Sequence, residues 1–148
     1  MIRSEIAINK FKQGYNCAQS VLYSFSKLLD ISGDMALKLA NGFGAGMGRK
    51  QKVCGAISGG ILVLNLYYGR DNQYNNDQDF IYAKVKELMD SFEKQYNTVI
   101  CAELLEGCNL LTQEGQEIFE ENNMIEQCYE DVDTTVKILE SIIKKQET

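Results

Sequence analysis

The sequence predicts an all-α fold, and three observations carry that prediction. The 148-residue chain contains no proline, so no helix has an obligatory break. Apolar residues recur at helical spacing along most of the chain, and no segment alternates convincingly like a half-buried strand. Glycines and Asn/Asp clusters separate the helical segments. We therefore expect one compact domain, residues 1–148, folded as a bundle of about six or seven helices.

The first half of the chain contains short helices and one buried helix. An amphipathic segment at 4–11 precedes a segment at 17–29 that carries its apolar residues on one face. Asp34 is the candidate N-cap of a helix at 35–40. After a glycine-rich loop, residues 53–67 are almost continuously apolar and too long for one strand, so they predict a buried helix.

The second half begins with a segment rich in Asn, Asp and Gln, which predicts a polar loop at 71–79. Four helical segments follow, and the third opens with a threonine and acidic residues that are typical of a capped first turn. The predicted helices lie at 80–96, 98–105, 112–119 and 124–144.

The composition is that of an ordinary soluble domain, with 45% hydrophobic residues, 24% charged residues and a net charge of −6. Residues 1–70 are basic overall, whereas residues 71–148 are strongly acidic. This asymmetry indicates either two differently solvated faces or a basic setting for a thiolate, a cluster or an anionic ligand. The acidic total and the lack of a dense basic stripe argue against nucleic-acid binding. Paired acids such as Asp131 and Asp133 are expected to lie on solvated faces.

Nothing in the sequence indicates export or membrane insertion. Residues 1–12 lack the apolar core of a signal peptide. The longest apolar stretch, 53–68, is interrupted by Ser58 and Asn65 and is too short to cross a bilayer. We therefore predict a cytoplasmic protein whose cysteines are reduced.

Five cysteines and no histidine limit the chemistry that the chain can perform. Cys54 stands out, because Arg49, Lys50 and Lys52 precede it and an apolar helix follows it. Cations and a helix N-terminus both favour a thiolate. Cys54 is therefore the predicted nucleophile and the predicted most acidic thiol.

The spacing of the cysteines excludes several common sites. There is no C-x-x-C, which argues against a zinc ribbon, a thioredoxin-type motif and covalent haem attachment. Any shared site must be assembled from different helices. For each cysteine taken alone, the alternative is a small buried hydrophobic side chain.

The glycine loop, defined as residues 42–48, has alternating glycines but lacks the lysine pattern of a phosphate-binding loop. We predict that its backbone N–H groups form a nest beside the sulfur site. Small residues at 55 and 59 would let a second helix or a cofactor approach closely, and tight helix packing is the alternative for both features. The candidate cofactor-binding glycines are Gly44, Gly46 and Gly55.

Several motifs resemble those of the C_GCAxxG_C_C family of redox-active proteins. They are GYNCAQSV at 14–21, the glycine loop, VCGAISGG at 53–60, CAELL at 101–105 and the late cysteine at 128. The resemblance covers nearly the whole chain and implies redox activity. A similarity of the family pattern to part of the split-Soret cytochromes implies electron transfer, although this chain has neither haem motifs nor histidine. The family's four cysteines correspond to Cys17, Cys54, Cys101 and Cys128, which leaves Cys108 outside the pattern.

The resemblance leads to two hypotheses about the four cysteines. They are the metal ligands of a [2Fe–2S] or similar cluster, or they form dithiol/disulfide pairs in which Cys54 is the nucleophile and Cys17 the second catalytic candidate. A rival hypothesis is a helical binding module, or a structural zinc protein, in which the cysteines hold helices together. Whether the protein is an enzyme, which redox partner it uses and whether it forms a homodimer are left open.

Overall fold

The structure of the protein is a computed structural model that describes residues 2–69 and 78–147. Within these residues the chain forms eight α-helices and no strand, which confirms the predicted all-α class. The predicted polar loop falls mostly at 71–77, outside the described residues, and its last two residues are helical. The helices are α1 (Arg3–Lys12), α2 (Cys17–Ser24), α3 (Gly33–Ala40), α4 (Gly55–Tyr68), α5 (Gln78–Tyr96), α6 (Cys101–Leu104), α7 (Gln113–Glu121) and α8 (Ile125–Glu147).

The core is organised around α2 and α4, which pack against each other at close range. At Gly59 of α4, a Cβ atom would lie only 2.6 Å from the carbonyl oxygen of Ala18 in α2, so the two backbones touch there. Helices α5 and α8 cover the rest of α4, while α1 and α3 cover α2. The largest fully buried side chains include Phe25, Ile57, Leu64, Phe92 and Leu139.

Side-chain caps set the starts of three helices. Asn16 forms a capping box with Gln19 at the start of α2, with bonds of 2.9 and 3.0 Å between side chain and backbone. Thr112 caps α7 as its position predicts. The prediction of Asp34 as a cap is wrong, because Ser32 accepts the hydrogen bond from the Met35 N–H and α3 begins at Gly33.

Two predicted helices are shorter than their apolar patterns indicate. Helix α2 ends at Ser24, because the N–H of Phe25 bonds to Leu22 and tight turns follow. Residues 98–100 are not helical, since Ile100 pairs with Val53 in an isolated antiparallel bridge. This second departure shapes the site described below. No helix among the described residues is long and apolar enough to cross a membrane.

Candidate functional site: a cavity lined by four cysteines

The four cysteines singled out by sequence line one cavity of about 190 Å³. They come from four separate parts of the chain, and an acid from α8 joins them in the wall. Most other lining side chains are apolar. Besides the four cysteines, the cavity is lined by Asp131, Asn16, Ala45, Gly55, Phe11, Tyr15, Leu104, Leu105, Leu110, Phe119 and Ile125.

The isolated bridge brings two of these cysteines together. The backbone N–H of Cys54 donates to the Val99 carbonyl at 2.7 Å, and the N–H of Cys101 donates to the Lys52 carbonyl at 2.7 Å. These bonds bring Cys54, at the N-cap of α4, alongside Cys101, the first residue of α6. The segments 52–54 and 99–101 are therefore joined through backbone bonds alone, which explains why no side-chain pattern announces the pairing.

Cys17 lies against the first residue of α4. A Cβ atom at Gly55 would be 2.4 Å from Cys17 Sγ and 3.0 Å from the Phe43 carbonyl oxygen. Only glycine leaves room for the sulfur at this point. The predicted candidate Gly55 therefore contacts the sulfur site directly, although no cofactor role follows from that contact.

Cys17 and Cys54 are neighbouring free thiols in the wall of the cavity. The adjacent Cys54 thiol lowers the pKa of Cys17 below its ordinary range, assisted by the N–H groups of Ala45 and Ala18 and opposed by burial. The adjacent Cys17 and burial raise the pKa of Cys54 well above its ordinary range. Cys17 is therefore the more acidic thiol of the two.

The expectation that Cys54 is the most acidic thiol is wrong. Cys54 is 4% exposed, whereas Arg49, Lys50 and Lys52 are all exposed to solvent. The solvated cations do not offset the effects of the adjacent Cys17, of burial and of the nearby Asp131 carboxyl, which all raise the pKa of Cys54.

Cys17 is expected to be the first cysteine that iodoacetamide alkylates, because a thiolate is the reactive form. Its alkylation rate should level off below about pH 8.5, the ordinary thiol pKa. Mass spectrometry of peptides labelled across a pH series would measure this. Cys128 is a matched control, since it is also partly exposed but burial raises its pKa. Labelling of Cys54 before Cys17 would contradict the assignment.

Cys101 and Cys128 are neutral thiols in this arrangement. Burial raises the pKa of Cys101 to about 12, and the charge on Cys17 adds to the effect. Burial also raises the pKa of Cys128. The four cysteines thus share a cavity but differ in acidity, and Cys17 is the one whose pKa is lowered.

Asp131 is the site residue that the sequence interpretation missed. It is 3% exposed, so the expectation of a solvated side chain is wrong, while Asp133 does pair with Lys137 near the surface. Asp131 Oδ1 accepts a 2.7 Å bond from Gln127, and Oδ2 accepts a 3.9 Å bond from the Cys54 thiol. Burial raises the pKa of Asp131 to about 7, although the Gln127 bond acts against it.

A usable signal for Asp131 was present in the sequence. It lies three residues after Cys128 and directly before Val132, on the apolar stripe of the predicted C-terminal helix. An acid within such a stripe faces the interior, because residues three and four apart share one helix face.

The glycine loop affects Cys17 through the backbone N–H of Ala45, which is not a glycine. Residues 45–49 all have positive φ, which forms a left-handed turn, and non-glycine residues adopt this conformation at an energetic cost. The Ala45 N–H is one of the groups that lower the pKa of Cys17. The N–H of Gly48 instead donates to the Gly42 carbonyl within the loop, so the predicted nest stays a prediction.

Gly44 and Gly46 support this loop through close contacts of their own. A Cβ atom at Gly44 would meet the Asn16 side chain at 2.5 Å, and one at Gly46 would meet the Gln51 backbone at 2.5 Å. Gly46 also has φ +67°, so alanine there would be strained as well as obstructed. Close packing against neighbouring residues therefore explains why glycine occupies both positions. Their predicted role in cofactor binding stays a prediction.

Cys108 lies apart from the cavity lining in the described residues. Its thiol donates to the Gly115 carbonyl oxygen at 3.0 Å, and it packs in a small apolar cluster with Cys101 and Leu105. A buried thiol with a satisfied donor behaves as a small hydrophobic side chain.

Comparison with known proteins adds one finding. A family model described as "Putative redox-active protein (C_GCAxxG_C_C)" matches residues 15–142, which include all of the cavity-lining cysteines. The chain belongs to the C_GCAxxG_C_C family. No curated protein and no solved structure matches the chain significantly.

In this member of the C_GCAxxG_C_C family, the cysteines as placed do not fit a single metal centre. The described residues contain no group of three or more Cys, Asp or Glu side chains that could hold a metal ion. The chain has no histidine to complete one. The assignment of Cys17, Cys54, Cys101 and Cys128 as metal ligands therefore stays a prediction that this arrangement does not support.

Proposed function

We propose that the protein performs thiol–disulfide exchange, with Cys17 as the nucleophile, Cys54 as the resolving thiol and Asp131 as the proton acceptor. The observation that carries the proposal is the placement of Cys17, Cys54 and Asp131 in the wall of one cavity, where the Cys54 thiol donates to Asp131 Oδ2 at 3.9 Å. A thiolate held beside a second thiol is the arrangement that exchange chemistry requires. The cytoplasm, the predicted location, would keep this pair reduced between turnovers.

The proposed reaction has two balanced steps. First, the Cys17 thiolate attacks one sulfur of a substrate disulfide, so that a mixed disulfide forms and the first substrate thiolate leaves. Second, Cys54 gives its proton to Asp131 and attacks the Cys17 sulfur, which expels the second substrate thiolate. Two electrons pass from the protein to the substrate, and the protein ends with a Cys17–Cys54 disulfide. The reverse sequence would oxidise a substrate dithiol.

The protonation states suit these roles. The lowered pKa of Cys17 supplies a thiolate for the first step, while the raised pKa of Cys54 keeps the resolving thiol protonated until it is needed. The raised pKa of Asp131, about 7, lets it accept and release a proton near neutrality. Its Oδ2 is the carboxylate atom 3.9 Å from Cys54 Sγ.

The test is a single turnover of reduced protein purified without oxygen. One equivalent of 4,4′-dipyridyl disulfide should release two thiopyridone molecules per chain, and peptide mapping should find a Cys17–Cys54 disulfide. Cys101→Ser and Cys128→Ser, which alter the cavity wall but neither reacting sulfur, should still release two thiopyridone molecules per chain and form the same disulfide. Stoichiometric iron and sulfide in the purified protein would favour the cluster hypothesis, stoichiometric zinc would favour the structural one, and either result would overturn the proposal.

Asp131→Asn is expected to slow the second step about 10²-fold and to leave the first unchanged, because the proton acceptor is lost after the nucleophile has acted. Stopped-flow absorbance would resolve the two phases of thiopyridone release. Asp133→Asn is the matched control, since it makes the same chemical change two residues away, where the carboxylate pairs with Lys137 at 2.8 Å. Equal slowing of both phases would contradict the assigned role.

The same variant should change how stability depends on pH. An acid whose pKa is raised on folding stabilises the native state below its unfolded pKa, about 3.9, and loses that contribution as pH rises through about 7. Asp131→Asn lacks this loss. As the pH rises from about 4 to about 7, the free energy of unfolding of the variant should therefore increase relative to that of the unaltered protein, by at most about 4 kcal/mol. Denaturant melts at several pH values would measure the difference.

A further inference from the structure

The wall around Cys17 has a chemical character that bears on the substrate. Beyond the cysteines it is built mainly of apolar side chains: Phe11, Leu104, Leu105, Leu110, Phe119 and Ile125. None of the described lining residues is Lys or Arg, and the one ionisable carboxyl group among them is Asp131. A carboxylate that entered would leave water without gaining a cationic partner from the lining, which is strongly unfavourable.

The basic residues nearest in sequence do not supply that partner. Arg49, Lys50 and Lys52 are exposed and are not among the lining residues. Lys10 approaches Tyr15 at the cavity edge, but its ammonium lies over two rings, 4.9 Å from the centroid of Tyr15 and 4.2 Å from that of Tyr23. It also bonds to Gln13 at 3.2 Å. This lysine is therefore already engaged with aromatic and amide groups.

The volume of the cavity limits the size of the group that it can hold. At about 190 Å³ it is slightly larger than the apolar cavity of about 150 Å³ that binds benzene in an engineered protein. One aromatic ring, or a branched alkyl group of similar size, would fill it. The thiols of Cys17 and Cys54 form part of the same wall, so a disulfide attached to that ring would reach the nucleophile.

We propose that the substrate of this site is a small uncharged disulfide that carries an aryl or branched alkyl group, and that the cavity discriminates against disulfides bearing carboxylates. The inference rests on the proposed function and names the substrate class of the same site. The bond changes are those of exchange: the Cys17–S bond forms as the substrate S–S bond breaks, and the apolar thiolate leaves. Cys54 then closes the protein disulfide, and the two electrons reside on the two released thiolates.

The test compares two aromatic disulfides that differ in charge. Reduced protein is mixed at neutral pH with uncharged 4,4′-dipyridyl disulfide or with dianionic 5,5′-dithiobis(2-nitrobenzoate). Each rate is divided by the rate at which a neutral small thiol reacts with the same reagent. The normalised rate should favour the uncharged reagent by at least about tenfold, because the carboxylates must be desolvated without a partner. Because the net charge of −6 repels all anions, the comparison is repeated at high salt, where general repulsion is screened.

Two lysine variants separate the cavity from the overall charge. Leu110→Lys places a cation in the lining, whereas Leu111→Lys adds the same charge at a neighbouring residue that is 61% exposed and outside the lining. Only Leu110→Lys should raise the rate with the dianionic reagent, by about tenfold. Tyr15→Lys, at a position that is already 36% exposed, is a second lining variant if Leu110→Lys fails to fold.

The possible outcomes distinguish the inference from the proposed function. A Cys17–Cys54 disulfide formed at equal normalised rates with both reagents, or equal gains in Leu110→Lys and Leu111→Lys, would overturn the substrate class and leave the exchange chemistry standing. Failure of both reagents to produce that disulfide would overturn the proposed function itself. A preference for the uncharged reagent that persists at high salt, and that a lysine in the lining removes but a lysine outside it does not, would support the inference.

Discussion

Cys54→Ser is expected to stop the reaction halfway and to accumulate a mixed disulfide on Cys17. Serine cannot attack the mixed disulfide, so one substrate thiolate leaves and the second stays attached. Cys17→Ser removes the nucleophile and should reduce exchange to background, a loss of at least about 10³-fold. Intact-protein mass spectrometry would detect the adduct on Cys54→Ser, and thiopyridone release would fall from two molecules to one.

Cys108→Ser is the matched control for these variants. It makes the same chemical change at a buried cysteine outside the cavity lining, and a serine hydroxyl can replace the bond to the Gly115 carbonyl oxygen. Its exchange rate should equal that of the unaltered protein. The assignment of roles is wrong if Cys17→Ser traps the adduct on Cys54, because the nucleophile would then be Cys54, as the basic residues before it had predicted.

Gly55→Ala is expected to lower the free energy of unfolding by roughly 1–3 kcal/mol and to impair Cys17 as well. Its Cβ would lie 2.4 Å from Cys17 Sγ and 3.0 Å from the Phe43 carbonyl oxygen, so the sulfur must move. A displaced sulfur moves away from Cys54 and from the Ala45 N–H, which lower its pKa. The alkylation rate of Cys17 at neutral pH should therefore fall. Denaturant melts and iodoacetamide labelling of the same sample would measure both effects.

Two other glycines provide control variants that separate the contact with sulfur from a general loss of stability. Gly59→Ala should also be destabilising, since its Cβ would lie 2.6 Å from the Ala18 carbonyl oxygen. The three atoms nearest to that Cβ all belong to the Ala18 backbone, so Cys17 should stay reactive. Gly42→Ala meets nothing within 4 Å and should be close to neutral in both measurements. If Gly55→Ala and Gly59→Ala reduce Cys17 reactivity equally, the effect comes from helix displacement rather than from the contact with sulfur.

Much of the fold could be predicted from local patterns. The buried helix after Cys54 and the amphipathic C-terminal helix follow from apolar spacing, and Thr112 was identified as a cap. One error arises from a pairing between residues distant in sequence, and another from a local choice between two capping side chains. Residues 98–100 leave the helix because Ile100 pairs with Val53, and α3 starts earlier than predicted because the Ser32 hydroxyl accepts from the Met35 N–H.

The sequence by itself determined three things about this protein. The periodicity determined the all-α class, the composition determined the scarcity of reactive groups other than sulfur, and the motifs identified the four cysteines that line the cavity. Only the tertiary structure decided which cysteine is the most acidic. The acidity of a thiol in a protein depends on the few donors and charges close to it, and those that lower the pKa of Cys17 include Cys54 and Ala45, which are distant in sequence. The same burial that makes Cys54 a weak acid places Asp131 beside it, 77 residues away along the chain.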